Sequence, residues 1–295
     1  MVSSRSLLPA LLVGALLVTG CDRDDAPDAP GAAPADLDAP AGDDVPDQEG
    51  TPAPDPTAGP EVAPDSGDAM TYVALGDSLA TGAGATTSYV EEYAEGLRTR
   101  TGVDVELTNF AIDGWTSQDL LTSLYDDEGV RAAVADADLV SLDIGGNDLL
   151  RALPLFLSDR CGGDDGLQCF RDATDGFEER WGEILDELLD LRGGDATGIV
   201  TLDLYLPFVG DERLADDLER LRPSLDAVNA TIASAADARD IPVAQVHTAF
   251  HGEDGQGDPE DDFLISVDGI HPSNAGHRLI AEELLALGVA WAHTD

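Results

Sequence analysis

Four short stretches of this 295-residue chain hold the residue types that acyl-transfer chemistry needs. They read Gly76-Asp77-Ser78-Leu79, Asn109-Phe110-Ala111-Ile112-Asp113-Gly114, Gly145-Gly146-Asn147-Asp148 and Asp268-Gly269-Ile270-His271-Pro272. A serine hydroxyl attacks a carbonyl only when a base takes its proton. His271 is a base of the right type, and Asp268 precedes it by three residues, close enough in a turn to fix its tautomer and stabilise the imidazolium. The tetrahedral state of such a reaction also needs donors aimed at its oxyanion. The backbone N–H of Ser78, the N–H of Gly114 and the side-chain amide of Asn147 are three candidates. Glycine at 114 suits a place where the backbone must approach a substrate with no side chain in the way. Taken singly, each stretch reads equally well as a turn, a loop glycine or a helix cap. Their order and their placement after predicted strands give them weight.

The elements that must position them follow from the hydrophobic pattern. Thr71–Leu75, Val105–Phe110, Leu139–Ile144, Ile199–Leu204 and Val243–Val246 are short, near-continuous apolar runs, as expected of strands covered on both faces. Between them, Phe177, Trp181, Ile184, Leu185, Leu188 and Leu191 recur at helical spacing, as do Leu214, Leu218, Leu221, Leu225, Val228 and Ile232. Pro223 is expected to divide or kink the second of these stretches. Leu279, Ile280, Leu284 and Leu287 mark a last helix. Strands alternating with helices predict a parallel, doubly wound α/β sheet in one domain over residues 70–295, with functional groups at the C-terminal strand ends.

The four stretches, in this order, resemble the SGNH (GDSL-type) esterase and lipase family. Its Ser, Gly, Asn and His blocks are matched by Ser78, Gly114, Asn147 and His271, and the resemblance spans residues 71–288. It implies a three-layer α/β/α sandwich with a five-stranded parallel, flavodoxin-like sheet. It further implies Ser78 as nucleophile, His271 as base, Asp268 as its orienting acid, and an oxyanion hole of Ser78, Gly114 and Asn147. No cofactor or metal is expected. The substrate is a carboxylic ester of a short-chain acid, a lipid or an acetylated sugar. Ala111 stands where the family often has glycine. The rival Gly-x-Ser-x-Gly elbow is absent, since Ala80 follows Ser78 by two. Two other functions use the same residues: acyl transfer to a sugar hydroxyl, and carbohydrate or lipid binding on a scaffold that no longer reacts.

Residues 1–21 resemble a lipoprotein signal peptide: Arg5, an apolar run from Leu7 to Val18, then Val18-Thr19-Gly20-Cys21, with Cys21 as the lipidation site. An ordinary secretory signal with an incidental Cys is the alternative. Residues 22–69 carry 14 acids and one Arg among Pro, Ala and Gly, and are expected to be a disordered linker. The protein is thus expected to be exported and held on the outer face of the membrane through that lipid alone. With Cys21 used for lipid, Cys161 and Cys169 form an even pair, expected to close a disulfide worth roughly 2–3 kcal/mol by chain entropy.

The net charge of −45, with no Lys, excludes nucleic-acid binding through phosphate neutralisation. Acidity of this kind fits either a high-salt setting or a base-composition bias. Of the remaining candidates, His247 and His251 are expected in a surface or core role, with pocket lining as the alternative; His277 is expected to be structural, Trp115 to pack ordinarily, with an acyl wall as the alternative, and Asp148 to cap a helix. The acidic run at 253–262 lacks calcium-loop spacing.

Overall fold

The computed structural model describes residues 69–209 and 215–288. The expected signal peptide, Cys21 and the linker lie outside the described residues.

The chain alternates strands and helices throughout. In order, the elements are β1 (Met70–Leu75), α1 (Ser78–Thr81), α2 (Tyr89–Thr101), β2 (Val105–Asn109), α3 (Ser117–Asp126), α4 (Glu128–Asp136), β3 (Leu139–Leu142), α5 (Gly146–Leu150), α6 (Leu153–Leu157), α7 (Gln168–Leu191), β4 (Ile199–Leu202), α8 (Ala215–Asp237), β5 (Val243–Ala244), α9 (Val246–His251) and α10 (Asn274–Ala286). The five strands are all parallel, in the order β2-β1-β3-β4-β5. This is the flavodoxin-like order, whose direction of growth reverses between β1 and β3. The loops after those two strands therefore part and leave a crevice, and these loops carry Ser78 and Asn147.

Both faces of the sheet are covered, which explains the unbroken apolar runs. Val73, Leu75, Val140, Leu142 and Ile199 pack with Leu120, Trp181, Leu185 and Val228 of α3, α7 and α8 on one side. Tyr72, Ala74, Leu139, Val200 and Leu202 pack with Tyr89, Tyr93, Ile280 and Leu284 of α2 and α10 on the other. Neighbouring strand residues thus go to opposite layers, as the two-residue repeat of a strand requires. A third, smaller cluster joins Ala152, Phe156, Cys161, Phe170 and Leu221 at the corner of α6, α7 and α8.

Several strands end one or two residues earlier than their apolar runs suggest. Ile144 and Leu204 remain buried beyond the last paired residues. Their burial comes from loop packing, so hydrophobicity alone overstates the strand. Pro223 neither divides nor ends α8, which is assigned as helix from Ala215 to Asp237. The carbonyl that loses its donor belongs to Glu219, an exposed residue.

Candidate active site

The crevice is built from tight backbone turns. Gly76 follows β1 with φ +156°, and a Cβ there would lie 2.2 Å from Asp143 Oδ1, so only glycine fits. Asp77 then caps α1, accepting the Leu79 N–H at 3.0 Å. This places Ser78 at the first helical position, its N–H facing away from the helix. Asn109 ties the second loop to the first: its amide donates to the Ala80 carbonyl at 2.8 Å and its oxygen accepts the Ala111 N–H at 3.0 Å. Gly114 takes the left-handed conformation, φ +78°, with open space where a side chain would stand. Its carbonyl accepts from Arg151 at 3.0 Å. Neither the Ser78 nor the Gly114 N–H has an acceptor among the described residues.

His271 arrives on the loop before α10, 193 residues after Ser78, and its Nε2 lies 2.9 Å from Ser78 Oγ. Its Nδ1 lies 2.6 Å from Asp268 Oδ2. The other Asp268 oxygen accepts the N–H groups of Ile270 and His271, each at 2.9 Å, and the Ser266 hydroxyl at 2.8 Å. Partial burial works against ionisation here. The bonds from the His271 ring, from the two backbone N–H groups and from Ser266 outweigh it and hold the Asp268 carboxyl well below the usual range. The loop itself is pinned by Tyr205, whose hydroxyl donates to the Ile270 carbonyl at 2.6 Å, and by the Ile265–Pro272 bridge.

Asn147 stands at the start of α5, after Gly145 at φ +116°, where a Cβ would collide with Phe177. Its Nδ2 donates to Asp77 Oδ2 at 3.0 Å and to the Trp115 carbonyl at 2.9 Å. In the resting site both amide protons therefore have acceptors. Beneath Asp77 lies a second carboxyl that sequence reasoning missed. Asp143 accepts the Tyr89 hydroxyl at 2.6 Å, and the two carboxyls are hydrogen-bonding partners. Burial raises both pKa values, that of Asp77 to about 6, and the charge of Asp77 pushes Asp143 further up. The signal was present in the sequence: an acid inside the run Leu-Val-Ser-Leu-Asp-Ile is costly unless it is paired.

A cavity of about 120 Å³ opens beside Ser78, His271 and Asn147. Leu149, Leu153, Phe170, Leu206, Leu218 and Leu221 are among its lining residues. Trp115 is not; it packs against the core that includes α3 and α7, the ordinary packing expected of it. His247 and His251 do not line the cavity either. His251 Nε2 accepts the Leu206 N–H at 2.9 Å and so supports the lining from behind. His277 is buried and structural: its Nδ1 accepts the first N–H of α2, from Tyr89, at 3.1 Å. Asp148 does cap a helix, but that of α3, accepting the Ser117 N–H at 2.9 Å and pairing with Arg180 at 2.9 Å. Cys161 and Cys169 are joined by a disulfide. Among the described residues there is no cluster of His, Cys, Asp and Glu able to hold a metal ion.

A switch-point crevice holding a serine, an imidazole and a carboxylate in series is the arrangement of a hydrolase site on a doubly wound sheet. Residues 74–279 match the GDSL-like Lipase/Acylhydrolase family, and the chain belongs to it. A spore germination lipase of Bacillus licheniformis is 26% identical over 224 residues, covering 74% of this chain and 96% of the relative. An uncharacterised protein of Bacillus subtilis, YpmR, is 30% identical over 219 residues, covering 73% of this chain and 80% of the relative. Among solved structures, a lipase from a goat rumen metagenome is similar with TM-score 0.62 and 26% identity over 75% of this chain and 98% of the other. An acetylxylan esterase from Geobacillus stearothermophilus shares the fold, with TM-score 0.55 and 21% identity over 78% of this chain and 99% of the other.

Proposed function

We propose that this protein is a serine esterase that cleaves carboxylic esters through an acyl-serine intermediate. The observation that carries the reading is the unbroken series Ser78 Oγ–His271 Nε2–Asp268, with contacts of 2.9 and 2.6 Å. His271 Nε2 takes the hydroxyl proton as Ser78 Oγ attacks the ester carbonyl. The negative charge then gathers on the former carbonyl oxygen. The N–H groups of Ser78 and Gly114 receive it, together with Asn147 Nδ2, which exchanges one of its resting acceptors for the oxyanion. Collapse breaks the bond to the alcohol oxygen, which leaves with the proton held by His271. Water, deprotonated by the same ring, then attacks the acyl-serine and releases the acid. Asp268 stays ionised throughout, as its low pKa favours.

Ser78→Ala is expected to keep the far-ultraviolet circular dichroism of the parent and lose at least ~1000-fold of turnover on a short p-nitrophenyl ester. Turnover equal to the parent's would sink the reading. Export and lipid anchoring belong to the same proposal, supported by the apolar run and Cys21. Cys21→Ala is expected to move the protein from the membrane fraction to the soluble one, and continued membrane retention would count against the anchor.

A further inference from the structure

The disulfide stands close to the reacting atoms without touching them. Cys169 is the second residue of α7, and the next residue, Phe170, lines the cavity beside Ser78. Phe170 packs edge-on against Phe156 of α6, with ring centroids 5.9 Å apart. On the opposite wall, α8 contributes Leu218 and Leu221. Between those two, Arg220 lays its guanidinium 4.8 Å over the Phe156 ring and donates to the Asp165 carbonyl at 2.8 Å. Asp165 lies inside the segment that the disulfide closes. One small loop therefore ties together both sides of the apolar wall.

Besides the bridge, that corner is held by backbone bonds within the loop, from Gln168 N–H to the Gly162 carbonyl at 3.1 Å and from Cys169 N–H to the Cys161 carbonyl at 3.0 Å, together with the exposed Asp165–Arg171 pair. Its cluster of five buried residues is separate from the two main cores. Gly162, Gly163 and Gly166 all take positive φ, so three of the nine residues from 161 to 169 have wide freedom once unpaired. Ser78, His271 and Asp268 are fixed by other means: the α1 cap, the Tyr205 bond and the loop before α10. The corner can thus loosen while the reacting groups stay in place.

We propose that the cavity takes the acyl chain of the ester and that the Cys161–Cys169 bridge, by holding Phe170 and Leu221 together, sets the chain length accepted. This rests on the esterase reading. Leu149 and Leu153 follow Asn147 directly on α5 and α6, so the apolar wall continues from the amide that meets the carbonyl oxygen. The departing alcohol faces His271. A 120 Å³ apolar cavity is slightly smaller than one that admits benzene, so a chain of about four to six carbons fills it. Cys161 and Cys169 are positioning residues here, with no contact to the reacting atoms.

The test compares kcat/KM for p-nitrophenyl acetate and hexanoate, which share one leaving group. The wild type is expected to favour hexanoate. Each buried methylene is worth a factor of about four, so a loosened wall that releases one or two of them costs the hexanoate preference about four- to sixteenfold. The Cys161→Ser, Cys169→Ser double variant should show that loss, through KM, with acetate turnover unchanged. Reduction and reoxidation of the wild type gives the same comparison without substitution, should the variant fold poorly. Leu221→Trp, which fills the cavity from α8, should likewise lower the hexanoate-to-acetate ratio. An unchanged hexanoate-to-acetate ratio in the reduced enzyme and the double variant overturns the proposal, and so does an equal loss of both substrates. Chain-length dependence on alkyl acetates instead of acyl esters puts the alcohol in the cavity and overturns it too. Failure of the esterase reading looks different: acetate turnover that survives Ser78→Ala.

Discussion

Asp143 is the least expected residue of the site, because a carboxyl buried against another carboxyl opposes its own ionisation. Unfolded, it releases its proton near its ordinary value of 3.8; folded, it keeps the proton far higher. The folded chain thus binds more protons than the unfolded one from about pH 4 upward, and stability falls with rising pH over that interval. Asp77, raised to about 6, adds to the loss until it too has ionised. Asp143→Asn replaces the protonated acid by an amide of the same shape. Relative to wild type, it is expected to gain about 3 °C or more in Tm at pH 8 and nothing at pH 4. A difference that shrinks as pH rises would contradict a buried Asp143 that resists ionisation. Asn147→Ala should lower turnover by about 10²–10³ and leave Ser78 open to labelling by a fluorophosphonate. At this scale the sequence was informative about which residues meet at the crevice, Ser78, His271, Asp268 and Asn147, because serine, histidine and amide side chains stand out by their chemistry. It was silent about Tyr89 and Tyr205, whose hydroxyls matter only through partners 54 and 65 residues away.

Elements were legible where periodicity was long. Helix α7 follows the expected apolar stripe from Phe177 to Leu191 and simply begins nine residues earlier, at Gln168. Strand ends were not legible, since Ile144 and Leu204 are as apolar and buried as residues that pair. Nor was the continuity of α8 across Pro223, which packing of Leu221 and Leu225 on either side decides over local preference. Two polar contacts join elements far apart in sequence. Asp148 of α5 receives the start of α3 and the Arg180 guanidinium of α7. Asp148→Ala leaves that guanidinium without its buried partner and is expected to cost about 3 kcal/mol in chemical denaturation; a change under a tenth of that would show the pair to be dispensable. The predicted cap at 148 was right in kind. The helix it serves could not be read from sequence, because the contact spans 31 residues.

At the scale of the molecule, charge dominates. Residues 70–295 carry 46 acids against 13 Arg, so the acids outnumber the arginines that could pair with them more than three to one. Self-repulsion of this kind weakens the compact state and is screened over about 10 Å at 0.1 M salt. Raising sodium chloride from 0.05 to 1 M is expected to raise Tm by several degrees. A flat or falling Tm would mean that the surface charges are already spaced beyond each other's influence. The doubly wound sheet was visible in the alternation of runs, whereas its flavodoxin-like, three-layer arrangement came from the family resemblance, since no local pattern says which strand lies beside which.

The 193-residue separation between Ser78 and His271 also bears on when the site can exist. A nascent chain leaves the ribosome with its serine first. Every strand of the sheet, from Met70 to Ala244, precedes the base. The sheet can therefore be fully synthesised while the hydroxyl still lacks a proton acceptor. Reactivity switches on last, when the segment around Asp268 and His271 docks under Tyr205. An unfinished chain therefore carries the hydroxyl of residue 78 with no imidazole beside it.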